Sequence, residues 1–343
     1  MKSYHLIFCS ERSGSNFLQD FICRNTSLGA LPVSHAIRIL SVNRARYGDL
    51  SNDRNWVSFI NHFQKLIETG VGSNGIILDP TNLLSTDPSS RQLFALIDEL
   101  ANQIMPDTEN VLIKENLTFE YLPHLLATGR IRSCLYQIRQ PHAVISSLIR
   151  SPNHIGNLTT FSEKWNLEQL AFLRALYYCT DHMPTAAVRY EDIVTDPEKY
   201  QRLMSLFYAS EQQSNYTQPP EPKPSIVVQN HQLVDGSIKT DRNQIADTFL
   251  TNDQKHDITE RCGTIANLFY AEIPAKKEPN LYPTWLNANP PTHFSKQNTG
   301  SSLPDAEINL RKSRETLLAE IQNLPISLDQ LSLEKYACCS NSK

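Results

Sequence analysis

The sequence is short of glycine, has no basic excess, places no two cysteines at metal or redox spacing, and contains no long apolar run. Each shortage excludes a class. Eleven glycines in 343 residues fall well under the roughly 7% of average usage, which excludes glycine-periodic fibres and flexible linker proteins. Lysine and arginine number 32 against 36 aspartates and glutamates, a net charge of −4. A protein that lives on nucleic-acid backbone is usually basic, so non-specific DNA or RNA binding is disfavoured. The seven cysteines are odd in number and form no CxxC, which argues against a disulfide framework and against a zinc ribbon. A reducing cytosol is the simplest compartment, so a cytoplasmic location is expected. No stretch approaches the ~18 apolar residues needed to span a bilayer, and the N-terminal apolar run is too short for a signal peptide. Cys338 and Cys339 miss the position that prenylation needs. No His/Cys/Asp cluster has metal-ligand spacing, so no metal is expected.

What is present is globular: 40% hydrophobic and 20% charged residues, ample for a core. Tyr4–Cys9, Asn110–Lys114, Arg132–Ile138 and Thr185–Arg189 are short apolar runs of strand length. Between and after them, apolar residues recur at helical spacing in Phe17–Ile22, Asn55–Thr69, Leu93–Ile104, Phe119–Ala127, Pro141–Arg150, Phe161–Cys179 and Pro197–Tyr208. Strands alternating with helices predict an α/β, P-loop-like three-layer fold: a mostly parallel central sheet with helices on both faces. The domain is expected over residues 1–278, followed by a proline-rich connector over 279–304 and a helical C-terminal extension over 305–343. Whether that extension docks on the domain or forms a homo-oligomer contact is open. Gln212–Pro224 holds four prolines and reads as a loop. Segments 35–110 and 210–250 are the expected acceptor-site and lid regions, and Trp165 is either core or acceptor wall.

The first chemical element follows the first strand: Glu11-Arg12-Ser13-Gly14-Ser15-Asn16-Phe17. Backbone N–H groups of such a turn, at a helix N-terminus, point at an anion. Gly14 permits the turn, Ser13, Ser15 and Asn16 add donors, and Arg12 can hold an anion through two parallel bonds. The string is not a GxxxxGK(S/T) loop, since it has one glycine and no lysine. An ordinary helix cap with a surface arginine is the plainer reading of this turn taken alone.

The second element is Ile138-Arg139-Gln140-Pro141, leading into a helix that carries Ser147. Arg139 stands at a strand C-terminus, the edge where ligands bind in open α/β sheets. An arginine there and a hydroxyl eight residues on could grip one phosphate together. Lys114, Arg130, Arg132, Arg139 and Arg150 stand against Glu115 and Glu120 over residues 111–150 of an otherwise acidic chain. A local positive field of that kind suits a small anion better than a polyanion.

These two elements in this order, with a strand between them ending in Lys114, resemble the sulfotransferases that use 3′-phosphoadenosine 5′-phosphosulfate (PAPS). RSGSNF resembles that family's 5′-phosphosulfate loop, and IRQPHAVISS its 3′-phosphate motif. Val188–Ile193 with Asp196-Pro197 resembles its RYEDL…DP segment. The resemblance covers about the first 210 residues and is nearer to the carbohydrate and bacterial glycolipid members, which carry arginine in the loop. Departures are Gln140 within the usual RDP, Phe17 where some members have tryptophan, and only Lys239–Arg242 as a late basic segment.

The resemblance implies a donor site of Arg12, Ser13, Gly14, Ser15, Asn16, Phe17, Arg139, Ser147, Tyr190 and Arg242. It implies that Lys114 and Arg12 act on the transferring group. Sulfuryl transfer, like phosphoryl transfer, runs mainly on positioning and charge stabilisation. His35 and Glu115 are the candidate proton acceptors; neighbouring strand residues face opposite ways, so only one of Lys114 and Glu115 enters the site. The acceptor is expected to be a small molecule or carbohydrate bearing a hydroxyl or an amine, a glycolipid included. A P-loop kinase of a small metabolite and a non-catalytic nucleotide-binding module remain the alternatives.

Overall fold

Alternation along the strands sets the architecture. In the computed structural model, residues 2–70, 76–114, 125–126, 128–152, 154–180, 182–209, 248–270 and 333 are described. Their strands are β1 (Ser3–Cys9), β2 (Gly29–Ala30), β3 (Asn110–Lys114), β4 (Ile131–Ile138) and β5 (Thr185–Arg189). They form one sheet in the order β2-β3-β1-β4-β5, and every pairing among them is parallel.

The helices before β4 are α1 (Ser15–Asn25), α2 (Ala36–Val42), α3 (Asp53–Thr69), α4 (Thr81–Leu84) and α5 (Leu93–Ile104). Those after it are α6 (Pro141–Ile149), α7 (Leu158–Thr180), α8 (Tyr190–Thr195), α9 (Pro197–Ala209) and α10 (Asn252–Tyr270). Successive strand side chains point to opposite faces, and the core divides accordingly. Tyr4, Leu6 and Phe8 of β1 pack with Ile113 and Tyr136 against α2, α3, α5, α6, α7 and α10. Ile7, Cys9, Leu112, Leu135 and Val188 pack on the other face against α1 and α9. The predicted three layers are therefore present, with a sheet that is wholly parallel among the described residues.

Several boundaries differ from the sequence reading. Helix α1 begins at Ser15 rather than at Phe17, so Ser15 and Asn16 belong to its first turn and not to the preceding loop. Five elements carry no expectation from sequence: the two-residue β2, α2, the one-turn α4, the short α8, and α10. Trp165 is core, 1% exposed. Most of the helix expected over Phe119–Ala127, nearly all of the 210–250 segment, the connector and the helix of the C-terminal extension lie outside the described residues. Among the described residues, no helix is long and apolar enough to cross a membrane.

The sheet order places the site. After β1 the chain goes to β2 on one side of the sheet, and after β4 it goes to β5 on the other, so the connections part between β1 and β4. The crevice beyond the strand carboxyl ends at such a switch point is where open α/β sheets bind ligands. Register pairs Ile7 with Lys114, Cys9 with Gln137, and Ile138 with Arg189. The residues that follow those ends therefore meet at one edge.

Candidate functional site

The turn after β1 is built from two left-handed residues, Arg12 at φ 63° and Gly14 at φ 88°. For arginine that conformation costs about 1–2 kcal/mol, and such strain collects at functional sites. The hydroxyl of Ser13 donates to the Ser10 carbonyl at 2.8 Å, so this side chain closes the turn from within. Gly14 is the residue before α1 and offers no side-chain cap, and the first turn of α1 holds no acidic residue. The first N–H groups of a helix have no partner within it. Here they sit among cations at the positive end of the helix dipole.

Three cations from three segments meet at this turn. Lys114 at the end of β3 is 4% exposed, and its Nζ donates to Asn16 Oδ1 at 2.6 Å. Arg139, just past β4, is 7% exposed; its Nη1 donates to the Arg12 carbonyl at 3.2 Å. Arg12 Nε in turn donates to Ser147 Oγ on α6 at 2.9 Å. The two motifs of the sequence reading thus touch each other directly.

Tyr190, the first residue of α8, fastens a third segment to the same place. The Arg139 guanidinium lies 4.4 Å from its ring centroid, and Phe17 meets the ring edge-on at 5.8 Å. A Cβ on Gly14 would come within 2.6 Å of that ring, so glycine is required both by the backbone angle and by the approach of Tyr190.

Glu191 lies within the RYEDL-like segment, where the sequence reading gives it no role of its own. Its Oε1 accepts the N–H of Gln140 at 3.0 Å, at the start of α6, and its Oε2 accepts from the Tyr270 hydroxyl at 2.9 Å. Burial raises its carboxyl above the ordinary range, against the pull of those hydrogen bonds and of Arg139. Arg189 donates to Asp192 Oδ2 at 2.6 Å and to the Phe269 carbonyl at 3.2 Å. Much of the RYED segment is therefore bracing that ties β5, α6 and α10 together around Tyr190.

Glu11 belongs to a second cluster that sequence spacing hides. Its Oε2 lies 2.6 Å from Lys164 Nζ and 3.2 Å from His154 Nε2. Burial alone would raise this carboxyl, but Lys164 and His154 outweigh it and hold it below the usual range. Glu168, one turn along α7, lies 3.7 Å from the same lysine. It is 7% exposed, and burial pushes its carboxyl up to about 7.

Of the two candidate proton acceptors, Glu115 lies outside the described residues, as does Arg242 of the expected donor site. His35 is described. It precedes α2 in a left-handed conformation, φ 57°, and its Nδ1 is buried with no hydrogen-bond partner among the described residues. Burial, then the charges of Arg38 and Lys114, hold its imidazole below the ordinary value, with Glu11 opposing them. The ring stands within the field of Lys114, which works with burial against its protonated form.

No protein-family model matches the chain, and no curated protein sequence matches it either. Among solved structures, the sulfotransferase domain from the curacin biosynthetic pathway is similar at 14% identity and TM-score 0.45, covering 77% of this chain and 98% of that one. The sulfotransferase domain from the Synechococcus PCC 7002 olefin synthase is similar at 16% identity and TM-score 0.35, covering 74% and 97%. Mouse sulfotransferase SULT7A1, in complex with PAP, is similar at 13% identity and TM-score 0.35, covering 76% and 83%. These are distant likenesses, and the chemistry has to be read from the site itself.

Proposed function

We propose that this chain is a sulfotransferase that moves a sulfuryl group from PAPS to a hydroxyl or amine of a small molecule or carbohydrate by in-line displacement. One observation carries the reading: Arg12, Lys114 and Arg139 converge on the uncapped start of α1, held by Asn16, Ser147 and the Tyr190 ring. Three cations and a row of backbone donors at one crevice are what a doubly phosphorylated nucleotide requires. No divalent metal is needed to supply that charge.

The roles follow from position. Arg12 and the N–H groups opening α1 take the 5′-phosphate. Arg139 and Ser147 take the 3′-phosphate, and Tyr190 offers a ring edge to the adenine. Arg12 and Ser147 bond each other at 2.9 Å; on donor binding each exchanges that contact for charge-assisted bonds to its own phosphate, which are about twice as strong. Lys114 is placed to offset charge on the leaving oxygen, a preorganised contribution that needs no rearrangement during reaction. PAPS supplies an activated sulfuryl group and a good leaving phosphate. His35, within the field of Lys114, accepts the proton of the acceptor.

Calorimetric titration with 3′-phosphoadenosine 5′-phosphate (PAP), with ATP·Mg²⁺ in parallel, tests the reading on wild type and Arg139→Ala. PAP should bind well and ATP·Mg²⁺ weakly. Loss of hydrogen bonds to a charged group, about 1.5–3 kcal/mol, should weaken PAP at least tenfold in Arg139→Ala. Absence of PAP binding would overturn the reading, and ATP·Mg²⁺ binding in its place would favour a kinase.

A further inference from the structure

One lysine stands between two carboxylates behind the anion turn. Lys164 Nζ on α7 lies 2.6 Å from Glu11 Oε2 and 3.7 Å from Glu168 Oε1. Glu11 directly precedes Arg12, whose left-handed backbone persists only where surrounding contacts hold it. Lys164 and His154 both hold Glu11, so a change at Lys164 reaches the turn through one side chain. Glu168 is buried, and burial pushes its carboxyl up to about 7. The other groups facing Glu168 keep their charge near that pH. Arg38 on α2 is a permanent cation that favours the carboxylate. Tyr136 on β4 and Cys9 on β1 are fully buried, and burial raises both, so they stay uncharged. Glu11 faces Lys164 and His154, with His35 within its field.

We propose that Glu168 is a positioning residue for the donor turn, acting through Lys164 and Glu11. Protonated, it leaves the lysine to Glu11 and the turn stays closed. Ionised, it takes a share of the lysine, and the tether on Glu11 slackens. The proton goes to solvent, and Glu168 touches neither donor nor acceptor. The inference rests on the reading of the turn as the donor site and adds a regulation to it. Because the closed turn goes with the protonated carboxyl, donor affinity falls as pH rises through about 7. The Ser13 N–H, which bonds the Ser10 carbonyl at 3.4 Å, reports the closure without any ligand.

The test is hydrogen exchange of the turn amides on the free full chain, with PAP titration beside it, for wild type and Glu168→Gln from pH 5.5 to 8.5. Glutamine copies the protonated carboxyl. Comparison at equal pH cancels the intrinsic pH dependence of exchange, of the PAP phosphates and of His154. The two proteins should differ least at pH 5.5. At pH 8.5 wild type should exchange about fivefold faster in the turn and bind PAP about fivefold more weakly, the net worth of one hydrogen bond. In a Glu11→Gln background, which gives up the tether, Glu168→Gln should change neither reading at pH 8.5. A ratio that stays constant with pH overturns the inference. So does a Glu168 effect that survives in Glu11→Gln, since it then bypasses the tether. If Glu168→Gln does not fold, Lys164→Met replaces it, at a side chain 34% exposed. That variant should exchange faster than wild type in the turn at pH 5.5, and equal rates overturn the inference. A wild type that binds no PAP overturns the donor reading instead, and the exchange rates then still decide whether Glu168 governs the turn.

Discussion

Replacing Gly14 by alanine asks whether the anion turn and the Tyr190 ring behave as one unit. The backbone at Gly14 is left-handed, φ 88°, where a Cβ costs about 1–2 kcal/mol. A Cβ built there lies 2.6 Å from two carbons of the Tyr190 ring, far inside the ~3.5–4.0 Å at which carbons rest against each other. The ring is 4% exposed and held by Phe17 and Arg139, so it has nowhere to swing without breaking those contacts. Overpacking of that kind costs about 1–3 kcal/mol. Gly14→Ala should therefore lose about 2–5 kcal/mol in urea unfolding, the sum of strain and overlap.

Gly129 supplies the control. Its φ is 65°, also left-handed, but a Cβ there meets nothing within 4 Å. Gly129→Ala should lose the strain alone, about 1–2 kcal/mol, with PAP affinity unchanged. Gly14→Ala should also weaken PAP, since displacing Tyr190 removes the surface that Arg139 stacks on. In a Gly14→Ala/Tyr190→Leu double variant, the overlap disappears and the cycle should show coupling of about 1–3 kcal/mol, within the range for contacting residues. Equal losses at Gly14 and Gly129, or no coupling with Tyr190, would refute the reasoning.

Two further outcomes are expected. Lys114→Ala should lower turnover by about 10²-fold or more and weaken PAP by much less, since Arg12 and Arg139 still hold its two phosphates; equal loss of both would make Lys114 a binding group only. Glu168 has a folded-state value near 7 against an ordinary 4.5, so the folded chain binds its proton more readily than the unfolded chain. Its stabilising contribution is complete below about pH 4.5, is lost as pH rises to about 7, and amounts to on the order of 3 kcal/mol. Glu11 acts in the opposite sense, its depressed value favouring the fold as pH rises, so wild type must be compared with Glu168→Gln. The difference in urea midpoint between the two should shrink or reverse from pH 4.5 to 7, and a difference that does not change with pH would contradict the assignment.

Most of the strands were legible because each is a short apolar run closed by a polar turn. Asn110–Lys114 and Thr185–Arg189 match their predicted limits. Gly29–Ala30 could not be read: two small residues carry no strand signal, and they are extended because β3 offers its edge. α10 did leave a trace in Ile258, Cys262, Ile265 and Phe269, which are buried at helical spacing, but the polar majority around them obscured it. Arg12, Gly14, Lys114, Arg139 and Ser147 were legible as residue types that bind anions. The brace of Glu11 by Lys164 and His154 was not, because the partners lie 153 and 143 residues away. Ser13 illustrates the limit within a motif, since spacing marks it as an anion donor while its hydroxyl points back to Ser10.

The braces explain why the cations can stand so close. Arg12 and Arg139 repel each other, and Lys114 adds to the local positive charge, so an unsupported loop would splay. Arg12 is oriented by a serine hydroxyl, Lys114 by an amide oxygen, and Arg139 by a backbone carbonyl and a ring face. The carboxylates act one step back: Glu191 anchors the start of α6, which carries Ser147, and Glu11 ties the loop to α7 through Lys164. Orientation of the three cations and anchoring from the carboxylates together hold their side chains at one crevice, the kind of preorganised arrangement from which an anionic ligand gains most.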